Sequence, residues 1–336
     1  QKSLSLKPND AEVYSNMAVT LKIMRDHNAA INCCNKALAI LPEYVDAWIN
    51  LGSIYADMNN SEAALTSFRR ALSFEPNNLN ALHNMGSELL VQGELLQAIE
   101  SFKNVLKINP KYEKARVLKL AAQAQICDWG PIKEDRKYIS KLGVNDQGVD
   151  PFALLSLEDA PKRHKHRAEL YVKNNYTQKP ISEILPPIKL PKRLRIGYFS
   201  GDFHNHPVSY KIAQTLKLHD RQNYELFAYS FGPDRNDAMR EKISNAVDNF
   251  FVVHDMNDHE IATLSRKHNI DIAIDLTGLT ENGRAGIFAL RAAPVQINYL
   301  GMPGTIGADF IDYIVADQVL IPPHQLIHYT EKLIYL

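Results

Sequence analysis

The chain has 336 residues, 45% of them apolar or aromatic, and its 38 basic and 38 acidic side chains cancel to a formal charge of zero. That length has room for about two domains, and a balanced charge gives no electrostatic reason to expect a nucleic acid or an anionic membrane as partner. No apolar run approaches the roughly 20 residues of a bilayer span. Cys33, Cys34 and Cys127 have neither metal-ligand spacing nor the number needed for a disulfide framework. With no secretory signal ahead of the first helical pattern, the expected compartment is a reducing cytoplasm. The Asn59-Asn60-Ser61 and Asn175-Tyr176-Thr177 acceptor patterns are then expected to stay unmodified. The chain starts at Gln1 partway through a helical pattern and ends on Leu333-Ile334-Tyr335-Leu336, which reads as a strand just begun. A fragment of a longer protein is expected.

Residues 1–126 are a repeat. Pro8, Pro42, Pro76 and Pro110 are spaced by 34 residues, and in the same register stand Tyr14, Trp48 and Leu82, then Ala18, Gly52 and Gly86, then Leu21, Tyr55 and Leu89. Ala30, Ala64 and Ala98 follow, and Phe68 and Phe102 recur with Cys34 in their slot. Small residues where two helices cross, bulky ones between them and a proline closing the second helix are the tetratricopeptide period. Such helix pairs stack into a superhelix suited to an extended peptide. Lys111 to Ile126 supplies one more helix, expected to cap the array. Asn16, Asn50 and Asn84 also recur at 34, in the first helix of each pair. An amide both donates and accepts hydrogen bonds, so this row could grip a peptide backbone, or each amide could merely bond a neighbouring helix.

Cys127-Asp128-Trp129-Gly130-Pro131 breaks the helical pattern. Residues 131–180 read as helical and charged, with the run Lys162-Arg-His-Lys-His166 as a solvated face and no role for His164 or His166. Pro180, Pro186, Pro187 and Pro191 mark an extended linker, so residues 127–193 are expected as a helical junction and linker. From Leu194 the pattern becomes alternating strands and helices. The strand candidates are Leu194–Ser200, Tyr224–Phe231, Asn249–Val253, Asp271–Asp275, Val295–Leu300 and Tyr313–Ala316. Val208–Leu218, Ala238–Val247, His259–Lys267 and Gly286–Arg291 are the helical ones. Short apolar strands alternating with helices predict a parallel sheet covered on both faces, one Rossmann-type α/β lobe over residues 194–336.

Three loops follow strand candidates. The first carries His204, Asn205 and His206 before Pro207, which pushes His206 into extended backbone. A strand, a polar loop and a helix in that order is where open α/β sheets place ligands. His204 and His206 have the spacing of a metal pair, but no third ligand accompanies them, so no metal is expected. The second loop runs from Asp275 to Arg284, with Asp275 a candidate carboxylate or a structural one. The third, Gly301-Met-Pro303-Gly304-Thr305-Ile-Gly307, has glycines that would let backbone amides approach a ligand closely, or would simply turn.

Together these residues resemble a known family. Asparagine-bearing tetratricopeptide repeats, the Cys127-Asp128-Trp129 junction, Arg195-Ile-Gly-Tyr198, Asp202-Phe203 with Asn205-His206-Pro207, Phe288-Ala-Leu-Arg291 with Ala293-Pro-Val-Gln296, and the Gly301–Gly307 loop are similar to the protein O-linked N-acetylglucosamine transferases. Asp150-Pro-Phe-Ala-Leu-Leu155 is most like the bacterial-type members. The resemblance implies a two-lobed GT-B glycosyltransferase that moves a sugar from a nucleotide diphosphate, UDP-GlcNAc, to serine or threonine of proteins, with inversion and without a metal. It implies that Asn16, Asn50 and Asn84 hold the acceptor peptide and that His206 is an active-site histidine. It departs at His204, where a glycine is common, and at Leu279, where many members have histidine or an aromatic residue. It also implies that most nucleotide contacts lie on a second lobe beyond this sequence, so negligible transfer is expected from these 336 residues alone. Two alternatives stay open: a SPINDLY-type protein O-fucosyltransferase, and a tetratricopeptide scaffold whose transferase lobe only binds partners.

Overall fold

A computed structural model describes residues 10–145, 148–181, 191–280 and 283–336, apart from the side chain of Glu134; Pro8, Pro186, Pro187, Glu281 and Asn282 of the sequence reading lie outside the described residues. The chain divides into two compact units, Gln1–Ile139 and Ser140–Leu336.

The first unit is helical throughout: α1 (Ala11–Ile23), α2 (His27–Ile40), α3 (Val45–Asp57), α4 (Ser61–Phe74), α5 (Leu79–Val91), α6 (Leu95–Ile108), α7 (Glu113–Gln125) and α8 (Trp129–Ile139). Asp10, Asp26, Asn60 and Asn78 cap α1, α2, α4 and α5 by accepting from first-turn N–H groups that have no partner inside the helix. The repeat register is a packing register. A Cβ added to Gly52 would lie 2.5 Å from the Phe68 ring, and one on Gly86 would lie 2.7 Å from Phe102. In the first pair Cys34 takes the ring's place, and Ala18 fits where the other two pairs need glycine.

The turn inside each pair carries the same period. Arg25, Asn59, Gly93 and Cys127, spaced by 34, all have positive φ, between 56° and 76°. Cys127 is therefore the turn of a fourth helix pair, α7 and α8, and not the end of the array, which runs to Ile139. Ile132 takes the slot of Ala30, Ala64 and Ala98, and the pairing of half-buried Arg116 and buried Lys119 on α7 with buried Asp135 on α8 closes this last pair.

The stretch expected to be helical over residues 131–180 is helical only in part. Beyond α8 it contains a three-residue 3-10 turn (Phe152–Leu154) and α9 (Pro161–Asn175), which starts on a proline whose missing N–H is no loss at that position. The basic run is solvated in part: Lys162 and His166 are exposed and Arg163, His164 and Lys165 half-buried, while the residue that follows it turns inward. Arg167 is fully buried and bonded to Glu158 and to Leu142 O, and His164 Nε2 lies 3.0 Å from Glu158 O.

The second unit is a seven-stranded, all-parallel sheet in the order β3-β2-β1-β4-β5-β6-β7. The strands are β1 (Leu194–Ser200), β2 (Tyr224–Ser230), β3 (Asn249–Val252), β4 (Ile272–Asp275), β5 (Val295–Tyr299), β6 (Tyr313–Ala316) and β7 (Lys332–Tyr335). Helices α10 (Pro207–Leu218), α11 (Ala238–Ser244), α12 (Asp258–Lys267) and α13 (Gly286–Ala289) lie between strands. Period-two alternation divides the core. Ile196, Tyr198, Leu226 and Ala228 enter one cluster with Val208, Ile212 and Leu216 of α10. Phe199, Phe227 and Tyr229 enter the other with Ala168 and Val172 of α9, Ile261 of α12 and Phe288 of α13. Both faces are covered, as buried parallel strands require. β1 has β2 on one side and β4 on the other, so the strand order reverses at β1, and the crevice beyond the carboxyl ends of β1 and β4 is where such a sheet binds ligands.

Candidate active site

The loops after β1, β4 and β5 meet at that end. Gly201, the first residue past β1, donates its N–H to Thr277 Oγ1 in the β4 loop at 3.4 Å. Gly301, just past β5, sits so close to the β4 loop that a Cβ would fall 2.3 Å from Leu276 O and 2.5 Å from Thr277 O. His206, Asp275 and Gly301 thus stand on three loops that touch.

The first loop is held from several sides. Asp202 N–H donates to Ser200 Oγ at 2.9 Å, and Asp202 O accepts from His204 N–H at 2.7 Å and from Ser209 Oγ at 2.5 Å. Asn205 N–H donates to Asp237 Oδ2 at 2.8 Å, while its side-chain oxygen accepts from Tyr210 OH at 2.8 Å. Asp237 also caps α11 through Met239 and Arg240, and these backbone hydrogen bonds hold its carboxyl below the usual range. Sequence reading passed over Asp237, although an aspartate directly before a helix is a readable capping signal.

His206 has φ −147° and ψ 148°, the extended backbone that Pro207 imposes, and it is the N-cap of α10. Its Nδ1 accepts from Val208 N–H at 3.3 Å, and Asp202 Oδ2 lies 3.7 Å from the same atom. A neutral ring whose Nδ1 accepts carries its proton on Nε2, so the free edge of His206 is a donor. The Asp202 carboxyl is raised by burial, with His206 and His204 pulling the other way. His204 is buried 5.7 Å ring to ring from His206, and its Nδ1 finds no partner among the described residues. Burial first, then Arg235, lowers its pKa. No group of three or more metal-ligating side chains stands together among the described residues.

Asp275 ends β4 at 2% exposure, and its Oδ1 accepts from Thr277 N–H at 2.9 Å and Gly278 N–H at 3.0 Å. The carboxyl shapes the loop. Burial pushes its pKa up to about 6 from 3.8, against the pull of those two hydrogen bonds. The folded state therefore holds the proton more tightly than the unfolded chain, and stability present below pH 4 is lost as pH rises through 6. Asp275→Asn keeps an acceptor at Oδ1 and removes the titration. Urea unfolding should then lack a fall of about 2 kcal/mol that the wild type shows between pH 4 and 6.5. Equal slopes in the two proteins would acquit Asp275.

The third loop departs from expectation. Of its glycines only Gly307 has positive φ, at 71°, and Gly301 serves close approach to the β4 loop. The amides meant for a ligand are in part committed within the chain: Ile306 N–H to Glu331 Oε1 at 2.6 Å, Gly307 N–H to Thr305 Oγ1 at 3.0 Å. Thr305 is buried and donates to Glu331 Oε2 at 2.6 Å, and Pro303 O accepts from Tyr329 OH at 3.1 Å. Gly304 is half-buried, and a Cβ there would meet only ordinary contacts with Leu155 and a tight one, 3.1 Å, with Met302. Residues 329–331 thus brace residues 303–306, and no local pattern at Glu331 announces it.

In the repeat unit, Asn16 is exposed while Asn50 and Asn84 are half-buried, at matching positions on α1, α3 and α5. Asn50 Nδ2 donates to Ser15 Oγ on the preceding pair at 2.9 Å. The equivalent neighbour of Asn84 is Ile49, which has nothing to accept with. Bonding to the next helix therefore accounts for one of the three asparagines and not for the period.

Comparison with known proteins agrees with this architecture. Tetratricopeptide repeat models match residues 11–44, 45–78 and 79–112. A probable UDP-N-acetylglucosamine–peptide N-acetylglucosaminyltransferase, SEC, of Arabidopsis thaliana is 41% identical over 145 residues, 43% of this chain and 15% of that protein. The UDP-N-acetylglucosamine–peptide N-acetylglucosaminyltransferase of Caenorhabditis elegans is 38% identical over 43% of this chain and 13% of its own length. A probable enzyme of that description named SPINDLY, from Solanum lycopersicum, is 34% identical over 44% of this chain and 16% of its own. The chain thus spans about a seventh of these curated relatives. A mutant O-GlcNAc transferase of Thermobaculum terrenum superposes with a TM-score of 0.60 at 28% identity, covering 97% of this chain and 57% of that one. The model of glycosyl transferase family 41 matches residues 161–336. Because that match runs from the first residue of α9 to the last of the sequence, more than half of its length, the chain belongs to glycosyltransferase family 41.

Proposed function

We propose that this chain is the acceptor-binding array and N-terminal catalytic lobe of a protein O-N-acetylglucosaminyltransferase. The donor is UDP-GlcNAc, the acceptors are serine and threonine hydroxyls of proteins bound along the repeats, and no metal or other cofactor takes part. The observation that carries the reading is the seat of His206: exposed on one edge, capped on the other, on a braced loop at the reversal point of the sheet. In the reaction the acceptor oxygen bonds to the anomeric carbon on one face as the bond to the diphosphate oxygen breaks on the other, which inverts the centre. The acceptor proton is released to water, and the diphosphate oxygen leaves with the electron pair of the broken bond and its negative charge. A donor at Nε2 of His206 suits an oxygen of the bound sugar, diphosphate or acceptor. Asn16, Asn50 and Asn84 are the proposed contacts to acceptor backbone. The protein acts in the cytoplasm, with neither nucleic acid nor membrane as partner.

The second reading is the SPINDLY-type protein O-fucosyltransferase that the sequence resemblance leaves open, in which the same lobe takes a fucose nucleotide as donor. The test is intact-mass detection. The gene, extended to its natural C-terminus, is incubated with a protein mixture and several nucleotide sugars. An added N-acetylhexosamine is the expected result; a deoxyhexose moves the protein to the second reading. No added mass from any donor, with the protein folded, leaves only a scaffold. The 336 residues alone should add no measurable sugar, since one lobe makes half a cleft.

A further inference from the structure

β5 is followed directly by a residue whose backbone its own side chain disfavours. Leu300 has φ of 68°, and Gly301 N–H donates to Tyr299 O at 2.9 Å, which closes a three-residue turn of the strained, positive-φ kind. Branched apolar side chains rarely occupy this region, because Cβ crowds the neighbouring carbonyl. The residue that would take such backbone without strain is next door, yet Gly301 is not among the positive-φ glycines. Its missing Cβ is needed instead for contact with Leu276 O and Thr277 O. Exchanging the two residues would relieve the turn and drive a side chain into the β4 loop. The chain keeps leucine at 300 against its backbone preference.

What the side chain does there is visible in the packing. Leu300 is half-buried against the apolar cluster that contains Phe203 of the His206 loop, Val208 at the start of α10 and Leu276 of the β4 loop. Phe203 and Leu276 are fully buried. Leu300 therefore adds the β5 loop to an apolar base that the other two loops already share. Strained residues persist where their surroundings over-determine them, and they gather at active sites.

We propose that Leu300 is a positioning residue of the transfer site: its side chain, held in place through a strained turn, sets the glycine loop against the Asp275 and His206 loops. The proposal rests on the transferase reading above. The test compares the full-length enzyme with Leu300→Gly, Leu300→Ala and Leu300→Met in turnover, donor KM and thermal midpoint. Glycine relieves the turn, so Leu300→Gly melts no lower than Leu300→Ala although it removes one carbon more. Its kcat nevertheless falls on the order of 10- to 100-fold through misplaced loops, with donor KM unchanged. Leu300→Met refills the apolar base and recovers most of the turnover. A Leu300→Gly enzyme within about twofold of wild-type kcat overturns the proposal, as does Leu300→Ala melting above Leu300→Gly. A folded wild type that transfers no sugar overturns the transferase reading and this proposal with it, and the two failures are thereby told apart.

Discussion

Replacing Gly232 with alanine should destabilise the sheet-bearing unit by about 3 kcal/mol or more, and it should do so from a position with no catalytic group. Gly232 lies two residues beyond β2. The β1–β2 ladder continues past the strand ends, with Phe231 N–H donating to Ser200 O at 3.1 Å, and this draws Gly232 onto the carbonyl of Gly201. A Cβ at 232 would sit 1.8 Å from Gly201 O and 2.6 Å from Gly201 C. Those are backbone atoms, so no rotamer change can make room. Either the ladder parts or the Gly201–His206 loop is pushed away from Thr277. Thermal unfolding of Gly232→Ala should fall on the order of 10 °C for a unit of this size. Gly130→Ala is the matched control: the residue is in α8, φ is not positive, and nothing lies within 4 Å of an added Cβ. There alanine meets no steric overlap, and its helix propensity is offset by Pro131, which disfavours a helical backbone in a non-glycine residue before it, so the net change should stay within about 1 kcal/mol of zero. Equal melting of the two variants would mean that the Gly201–Gly232 approach is looser than its geometry.

The parts of this fold legible in the sequence are those fixed by neighbours close along the chain or by a strict period. Gly52 and Phe68, Gly86 and Phe102 announce a crossing because shape complementarity repeats every 34 residues. β1 and β6 are bounded where their apolar runs end, and α10 starts where Pro207 forbids the preceding residue a helical backbone. What escaped is carried by conformation or by distant partners. The positive-φ turn of each helix pair is filled by arginine, asparagine, glycine and cysteine in turn, so the period holds in φ while the residue type hides it, and the fourth pair reads as a break at Cys127. Leu300 reads as the last residue of a strand because leucine there extends an apolar run; only the backbone reveals the turn. Glu331 lies 25 residues from Ile306, and no local pattern tells a buried brace from a surface glutamate. Of the candidate site, the three loops were legible and their junction was not, since Gly301 against Leu276 and Gly201 against Thr277 are contacts between strands far apart in sequence.

His206→Ala in the full-length enzyme should lower sugar transfer by about 10²- to 10³-fold, the usual consequence of removing one pre-oriented donor from a site where charge develops. The substitution has a second effect that must be separated from the first. His206 Nδ1 caps α10 through Val208 N–H, so alanine also takes away an N-cap, which costs about 1 kcal/mol. His206→Asn divides the two: asparagine is among the preferred capping residues, and its side-chain oxygen can take the Val208 N–H while nothing of imidazole reach faces the cleft. The expected pattern is a melting temperature near wild type for His206→Asn and a few degrees lower for His206→Ala, with transfer lost equally in both. Loss of transfer in the alanine enzyme alone would make His206 a cap and no more, and would shift the search for the reacting groups to Asp202 and the β4 loop. Full activity in both would remove the Asn205-His206-Pro207 loop from the site. A glutamine enzyme reads the tautomer: a ring that capped through Nδ1 can serve the cleft only from Nε2–H, so His206→Gln, which restores a donor at that reach, should recover part of the transfer if donation is the role and none if proton abstraction is.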